Sequence, residues 1–228
     1  MRTSRLETLP PVFTPILHLR EGKDALRRAI ALAPEKGAGT LVWSSALHRV
    51  EAAVVLEPER ILAASRPAFL VAANALADAL TALAAPELPV TLRWPATLAL
   101  NGGEIGALTL ATPPDAGEND VPAWMVVGFS LRLAAPEQLE PGLTPDHTTL
   151  ATEGQGDITA EAIVGAWARH LLANMNEWEE RPARLGEKYF ARLETAPWQA
   201  GARRGLDPVT GDLILEREGT RQRHPLAS

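Results

Sequence analysis

Apolar residues recur along the chain with two periods, one typical of helices and one typical of strands. Between residues 68 and 83 the polar residues are Asn74, Asp78 and Thr81, spaced four and three apart. This spacing leaves a single polar stripe on a helical surface and predicts an amphipathic helix over residues 68–83. The same period predicts three further helices, over residues 22–32, 160–179 and 183–193.

Short apolar runs rich in β-branched residues predict strands between these helices. The predicted strands cover residues 40–43, 52–56 and 124–133, and three more follow Pro197 at residues 203–206, 212–217 and 222–226. A hairpin is predicted within residues 91–110, because Asn101-Gly102 can adopt the positive φ values of a type I′ turn. Residues 134–156 are rich in proline and glycine, so this long connection is predicted to be a lid, a binding loop or an unrecognised element.

The mixture of helices and strands predicts an α/β (α+β) fold. We expect a mixed sheet of about six or more strands, with helices packed mainly on one face. A chain of 228 residues suits one domain with a small addition. The predicted division is a domain over residues 1–196 and a small β-rich C-terminal appendage over residues 197–228.

Composition excludes several classes of function. A net charge of -6 argues against binding to nucleic acid or to anionic lipid, and no apolar run is long enough to span a membrane. The N-terminus has no signal-peptide pattern, so a cytoplasmic location is expected. The absence of cysteine excludes disulfides and cysteine nucleophiles. The five histidines lack metal-ligand spacing, and no metal site is predicted.

The segment Arg93-Trp94-Pro95-Ala96-Thr97 leads into a strand, an Asn-Gly-Gly turn and a second strand that begins Glu104-Ile105-Gly106. It resembles the central hairpin of the biotin and lipoate protein ligase family. In that family a Lys-Trp-Pro-Asn-Asp run leads into a strand and a turn. A lysine and an apolar, glycine-containing strand follow the turn.

Other segments resemble the same family in the same order. Gly37-Ala38-Gly39 and Trp43-Ser44 are similar to a Gly-Arg-Gly-Arg loop and a Trp-x-Ser step, although both arginines are missing. The run Val126-Val127-Gly128-Phe129-Ser130 is similar to a Gly-Ile-Gly-Ile-Asn strand. Thr148-Thr149-Leu150 is similar to a Thr-Ser-Leu segment, and the tail to a small C-terminal β domain. The resemblance therefore extends over about residues 14–226.

The resemblance implies a ligase-like catalytic domain and a small carboxylate ligand. Family members activate biotin, lipoate or octanoate with ATP and Mg²⁺, and form an acyl-adenylate. They then transfer the acyl group to a lysine of a biotinyl or lipoyl carrier protein. Such a carrier protein is the implied macromolecular partner.

The resemblance also assigns roles to individual residues. Arg93 stands at the position of one catalytic lysine, and Glu104 stands at the expected position of another. Lys36 and Arg132 are further candidate cations. The implied substrate-binding residues are Gly37, Gly39, Trp43, Trp94, Gly106, Gly128 and Arg132.

The negative charge of Glu104 at an expected lysine position leaves open whether the protein is an active enzyme. A carboxylate at Glu104 would repel the acyl phosphate by about 4 kcal/mol at roughly 4 Å, if the effective dielectric constant is near 20. Arg132 could pair with a substrate carboxylate or with Glu104, and Gly106 could allow close approach of a ligand or of another backbone segment. Two hypotheses remain: a divergent protein ligase, or a catalytically inactive relative that acts as a ligand-binding or protein-interaction module.

Overall fold

A seven-stranded mixed sheet forms the centre of the computed structural model, which describes residues 5–135 and 146–226. Its strands are β1 (Ile16–His18), β2 (Leu41–Ala46), β3 (Arg49–Leu56), β4 (Val90–Arg93), β5 (Thr97–Leu100), β6 (Gly103–Ala111) and β7 (Met125–Arg132). They lie in the order β1-β2-β3-β7-β6-β5-β4. The β1–β2 pair is parallel and all other neighbouring pairs are antiparallel. The mixed sheet predicted from the sequence is confirmed.

Helices cover both faces of this sheet unequally. They are α1 (Ala25–Lys36), α2 (Leu62–Ser65), α3 (Ala68–Leu83), α4 (Ala160–Glu180) and α5 (Ala183–Arg192). Helix α1 packs against β2, β3 and β7 on one face, whereas the larger core contains α3, α4 and α5 on the other. The expectation of helices mainly on one face is therefore confirmed.

Helix α1 begins at a side-chain cap and ends at a glycine. Asp24 accepts a 2.8 Å hydrogen bond from the backbone N–H of Arg27, which satisfies one free donor at the helix start. Pro34 lies inside the last turn, and Gly37 terminates the helix with φ of 72°. The helix starts later than predicted because Asp24 caps it, and it ends later because a proline so close to the C-terminal end removes only one helical hydrogen bond.

Trp167 joins α4 to the sheet and to α3. Its side chain is fully buried, its ring meets Phe129 edge-on at a centroid distance of 4.9 Å, and its Nε1–H donates to the carbonyl of Ala72 at 3.3 Å. Edge-to-face aromatic pairs add to the stabilisation that burial provides. The apolar stripe of α4 thus serves helix packing.

Two short segments of the main sheet differ from the prediction. Strand β1 was not predicted, because three residues are too few to show alternation. Strands β2 and β3 also extend toward each other and leave only Leu47 and His48 as the turn. On the face away from α1, the His18 ring stacks on Trp43 at 3.8 Å.

The C-terminal segment forms a second, three-stranded antiparallel sheet. Its strands are β8 (Arg203–Leu206), β9 (Leu213–Arg217) and β10 (Thr220–His224), in the order β10-β9-β8. The third strand lies two residues earlier than predicted. Asp212 explains the difference, because its carboxylate accepts from the backbone N–H of Leu226 at 2.8 Å and so holds this residue outside the ladder. The domain division at residues 196 and 197 remains a prediction.

Among residues 5–135 and 146–226, no helix combines the length and the apolar character that crossing a membrane requires. Part of the long connection predicted over residues 134–156, namely residues 136–145, lies outside the described residues. Its final part contacts the start of β6, where His147 forms a parallel bridge with Glu104.

Candidate ligand site at the central hairpin

The central hairpin is anchored by an aromatic pair and by a hydrogen bond to the backbone. Trp94 contacts Tyr189 of α5 edge-on at 6.1 Å, and the Tyr189 hydroxyl donates to the Pro95 carbonyl at 2.6 Å. Burial raises the pKa of Tyr189, so this hydroxyl remains a donor. At the next turn Asn101 and Gly102 have φ values of 51° and 85°, as the predicted turn requires. Trp94 thus serves at least as a packing residue.

Arg93 is held by a carboxylate of the same chain. Its Nε donates to Glu194 Oε2 at 2.7 Å, and its Nη2 donates to the Gly102 carbonyl at 2.6 Å. The hydrogen bond to Glu194 raises the pKa of Arg93, burial opposes the shift, and the negative charges of Glu194, Glu104 and Asp146 raise the pKa further. The first candidate catalytic cation is therefore surrounded by negative charge.

Glu194 reaches the hairpin through a backbone contact that follows α5. Leu193 bridges Leu92 of β4, and the backbone N–H of Glu194 donates to the Leu92 carbonyl at 2.8 Å. Arg204 of β8 donates to the carbonyls of Leu193 and Glu194 at 3.3 and 3.2 Å. The second sheet thereby holds in place the backbone of Leu193 and Glu194, and Glu194 neutralises Arg93. Sequence reasoning missed Glu194, and no local pattern distinguishes it.

Glu104 is paired with Arg132 on the neighbouring strand. Arg132 Nη2 donates to Glu104 Oε1 at 3.2 Å, and its Nη1 donates to the Glu104 carbonyl at 3.0 Å. His147 Nδ1 lies 3.5 Å from the same Glu104 oxygen. Of the two partners predicted for Arg132, the one present within the chain is Glu104.

Gly106 and Gly128 are required by close packing. A Cβ on Gly106 would lie 2.1 Å from the Ser130 carbonyl oxygen, so another backbone segment accounts for this glycine. A Cβ on Gly128 would meet the Ala52 carbonyl oxygen at 3.0 Å and Leu26 of α1 at 3.2 Å. Their assignment as substrate-binding residues therefore rests on the family resemblance alone.

Gly37 and Gly39 lie at the other end of the sheet from the charged hairpin. In the β3–β7 register Arg49 is opposite Arg132, whereas Leu56 is opposite Met125. The Gly39 N–H donates to the carbonyl of Val55, next to that second end. Strand β3 spans about 23 Å between Arg49 and Leu56, at roughly 3.3 Å per residue. The structure thus separates both glycines from Arg93, Glu104 and Arg132.

Two other predicted residues also lie apart from the hairpin cations. Trp43 is buried beneath His18 in β2, and its register partner is Ala52 of β3. Lys36 ends α1 beside the two glycines, and its Nζ lies 2.8 Å from Glu35 Oε1. The predicted site residues therefore form two groups, and Arg93, Glu104 and Arg132 are the charged residues that lie together.

The described residues at the hairpin do not fit ATP with Mg²⁺. Both candidate arginines are already paired with carboxylates, and Asp146 adds a third negative charge near Arg93. A triphosphate carries several negative charges, and arginines that are each already offset by one carboxylate do not compensate for them. In the part of the chain that the structure describes, no group of three or more His, Cys, Asp or Glu side chains could hold a metal ion.

Comparison with known proteins relates the chain to a protein family. Residues 9–190 match the profile of the Biotin/lipoate A/B protein ligase family. The chain belongs to this family. A Biotin--[acetyl-CoA-carboxylase] ligase from Paracoccus denitrificans is 31% identical to it, and the match covers 81% of each chain.

Solved ligase-family structures share the fold. A biotin protein ligase-like protein of unknown function from Silicibacter sp. TM1040 has a TM-score of 0.83 and 31% identity, with 96% of each chain covered. Biotin protein ligase from Aquifex aeolicus has a TM-score of 0.72 and 14% identity, with 95% of this chain and 96% of that chain covered. The Aquifex aeolicus ligase has also been solved in complex with biotin and ATP.

The Arg93–Glu194 pair predicts a pH dependence for this ligase-family hairpin. Burial raises the pKa of Glu194, but hydrogen bonds from Thr91 and Arg93 and the charge of Arg93 together lower it below its ordinary value. The Arg93–Glu194 pair therefore stabilises the fold fully at pH values above the pKa that Glu194 has in the unfolded chain. This stabilisation is lost as the pH falls through the lower pKa that Glu194 has in the folded protein.

We expect Glu194→Gln to lower the free energy of unfolding by about 0.5–1 kcal/mol at neutral pH, because the pair is partly exposed. Urea unfolding of the wild type and the variant should show that this difference disappears under acid conditions that protonate Glu194. Glu187→Gln, which removes an exposed pair with Arg184, is the control and should have a smaller effect. An equal difference for Glu194→Gln at neutral and acid pH would contradict the role of this ionisation.

Proposed function

We propose that this member of the ligase family binds a small carboxylate ligand without activating it with ATP. The observation that carries the proposal is the pairing of both candidate cations with carboxylates of the chain, Arg93 with Glu194 and Arg132 with Glu104. The second pair gives the stronger support, because Glu104 stands at the position where the resemblance places a lysine. The proposal combines the predicted carboxylate ligand with the predicted loss of catalysis.

Electrostatics argues against adenylate formation at this hairpin. The reaction brings a carboxylate to a triphosphate, so pre-aligned cations must offset the repulsion and stabilise the developing charge. An unpaired carboxylate at roughly 4 Å would oppose the reaction by about 4 kcal/mol, which corresponds to about three powers of ten in rate. Arg132 reduces this repulsion at Glu104, but the pair supplies no net positive charge to the reaction. Ala96 and Thr97 also lack the carboxamide and carboxylate groups that the family motif has after Trp-Pro.

Two neighbouring arginines support binding of a carboxylate. Arg49 of β3 is directly opposite Arg132 of β7, so both side chains lie on the face that carries α1. Like charges that are directly opposite each other destabilise a sheet unless anions compensate them. Glu51 lies 3.1 Å from Arg49, and Glu104 lies 3.2 Å from Arg132. Each guanidinium has five N–H donors, so both retain donors for the carboxylate of a ligand.

Calorimetric titration with biotin, lipoate and octanoate tests the ligand assignment. We expect at least one of them to bind in the absence of ATP, and we expect Arg132→Gln and Arg49→Gln each to weaken binding about 10-fold, as for a lost charge-assisted hydrogen bond. Arg221→Gln in the second sheet is the matched control and should leave affinity unchanged. If the wild type binds none of the three ligands, the assignment is wrong.

Ligation to a carrier protein is the second candidate function. It is favoured by the 31% identity with the Paracoccus denitrificans protein, whose name describes a biotin ligase. This function would use biotin, or lipoate or octanoate, with ATP and Mg²⁺, and would modify a lysine of a biotinyl or lipoyl carrier protein. Like the cytoplasmic location, it remains a prediction.

Exchange of pyrophosphate into ATP distinguishes the two candidates. We expect no exchange with wild-type protein in the presence of biotin, lipoate or octanoate, and we expect Glu104→Lys to remain inactive because Ala96, Thr97 and the Arg93–Glu194 pair are unchanged. Exchange by the wild type would contradict our proposal and support ligation. If Glu104→Lys catalysed the exchange and the wild type did not, the carboxamide and carboxylate groups that are missing at Ala96 and Thr97 would be dispensable.

A further inference from the structure

A cavity of about 520 Å³ lies at the end of the sheet next to Gly39, where β3 ends and β7 begins. It is on the same face of the sheet as α3 and α4. Its volume is in the range typical of small-molecule sites, roughly 300–1,000 Å³. The end of β3, residues 57–60 after it and the second half of α4 supply most of the lining residues. The β3–β7 register separates it from the hairpin, since Leu56 and Met125 line the cavity whereas Arg49 and Arg132 lie at the opposite strand ends.

The interior of this cavity is apolar. Met125 is fully buried, and Leu171 is nearly so. Leu56, Met175 and Trp178 supply further walls, and all three pack against the neighbouring core. Methionine side chains adapt to ligands of different shape, and an aromatic wall adds a large contact area. These walls suit an aliphatic or aromatic group.

The mouth of the cavity is negatively charged. Its exposed carboxylates are Glu57, Glu59 and Glu179. None of these three is in an ion pair with another residue of the described chain, and Arg60 is the cation among the residues that line the cavity. Because Arg60 lies over the Trp178 ring at 5.5 Å, its charge already has a favourable aromatic contact. The local charge therefore attracts a cationic group.

We propose that this cavity binds an amphiphilic amine, with its apolar body against the Met125 and Trp178 walls and its ammonium group beside the carboxylates at the mouth. A ligand carboxylate is disfavoured here, because one arginine would have to offset three acidic side chains. This site is independent of the carboxylate site at Arg49 and Arg132. Gly39 also belongs to it, because this residue lines the cavity.

A series of three probes, each with a chain of eight carbon atoms, tests the assignment. Calorimetric titration of the full-length protein with octylamine, which is protonated at neutral pH, octanol and octanoate separates tail binding from head-group recognition. We expect octylamine to bind about 3- to 10-fold more tightly than octanol, given the modest strength of exposed charge interactions. The triple variant Glu57→Gln, Glu59→Gln, Glu179→Gln should remove this preference. Equal affinities for octylamine and octanol would overturn the proposal, as would tighter binding of octanoate that is unchanged in Arg132→Gln.

Variants that fill the cavity test its location. Leu172→Trp introduces bulk at the α4 wall, and Ala38→Trp does so at an exposed lining position where the core is not disturbed. Both should reduce octylamine affinity at least 10-fold. Leu47→Trp, at the exposed β2–β3 turn, is the matched control. Unchanged affinity in a folded Ala38→Trp protein would overturn the location.

The two ligand sites can be distinguished with the same titrations. Arg132→Gln should leave octylamine binding unchanged, whereas it should weaken any octanoate binding at the hairpin. If Arg132→Gln weakened octylamine binding as much as octanoate binding, both probes would share one site and the cavity assignment would be wrong. Failure of biotin, lipoate and octanoate all to bind would contradict only the carboxylate proposal.

Discussion

Truncation of Trp167 to alanine is expected to lower the free energy of unfolding by about 3–5 kcal/mol, the range observed for deletion of a large buried aromatic side chain. The side chain is fully buried between α4, α3 and the sheet. The variant loses the edge-on contact with Phe129 and the hydrogen bond to Ala72, and it leaves a cavity that rigid neighbouring elements can fill only in part. Equilibrium unfolding in urea, followed by circular dichroism, measures the change.

Two variants make this result specific. Trp167→Phe retains an aromatic ring opposite Phe129 and should recover a large part of the lost stability. Trp198→Ala removes a tryptophan that is 44% exposed and should destabilise the protein by less than about 1 kcal/mol. A loss for Trp167→Ala no larger than that for Trp198→Ala would refute the central packing role of Trp167.

Gly106→Ala is expected to destabilise the protein by about 2–4 kcal/mol through overpacking. The added Cβ would lie 2.1 Å from the Ser130 carbonyl oxygen and 2.7 Å from a Leu131 methyl group. Strands β6 and β7 must therefore separate locally, which weakens the ladder that holds Glu104 next to Arg132. The matched control is Gly205→Ala in β8, where an added Cβ has no neighbour within 4 Å and φ is not in the left-handed region.

Urea unfolding measures both glycine variants, and binding of octanoate reports the consequence for the hairpin. We expect Gly205→Ala to remain within about 0.5 kcal/mol of the wild type. If Gly106→Ala were as stable as Gly205→Ala, the close approach of β7 could not be the reason for glycine at this position. A stable Gly106→Ala protein that had lost only ligand binding would instead favour the ligand alternative predicted from the sequence.

Local sequence signals predicted the elements that depend on local interactions. The spacing of Asn74, Asp78 and Thr81 predicted α3 with the observed bounds, and Asn101-Gly102 predicted a turn in which both φ values are positive. In each case the periodicity or the turn chemistry lies within a few consecutive residues. Strand β1 has only three residues and depends on its parallel partner β2, so its own pattern could not identify it.

Charge pairs were predictable only where the fold had already been inferred. Arg132 was expected on a strand that borders the ligand pocket, and its pairing with Glu104 was one of two explicit alternatives. Glu194 follows α5 and reaches Arg93 only because Leu193 bridges β4. The apolar cavity was also missed, since the apolar residues Leu56, Met125 and Trp178 come from three separate segments and are equally typical of a core.

The two charge pairs have a consequence for redesign of the hairpin. Arg93 and Glu194 are 101 positions apart, and the second charge pair, Glu104 with Arg132, lies on other strands. Replacement of Glu194 alone would release Arg93 but leave Arg132 paired with Glu104, whereas replacement of Glu104 alone would release Arg132 but leave Arg93 neutralised. Each single substitution therefore frees one guanidinium group. A hairpin with two free guanidinium groups requires both substitutions together.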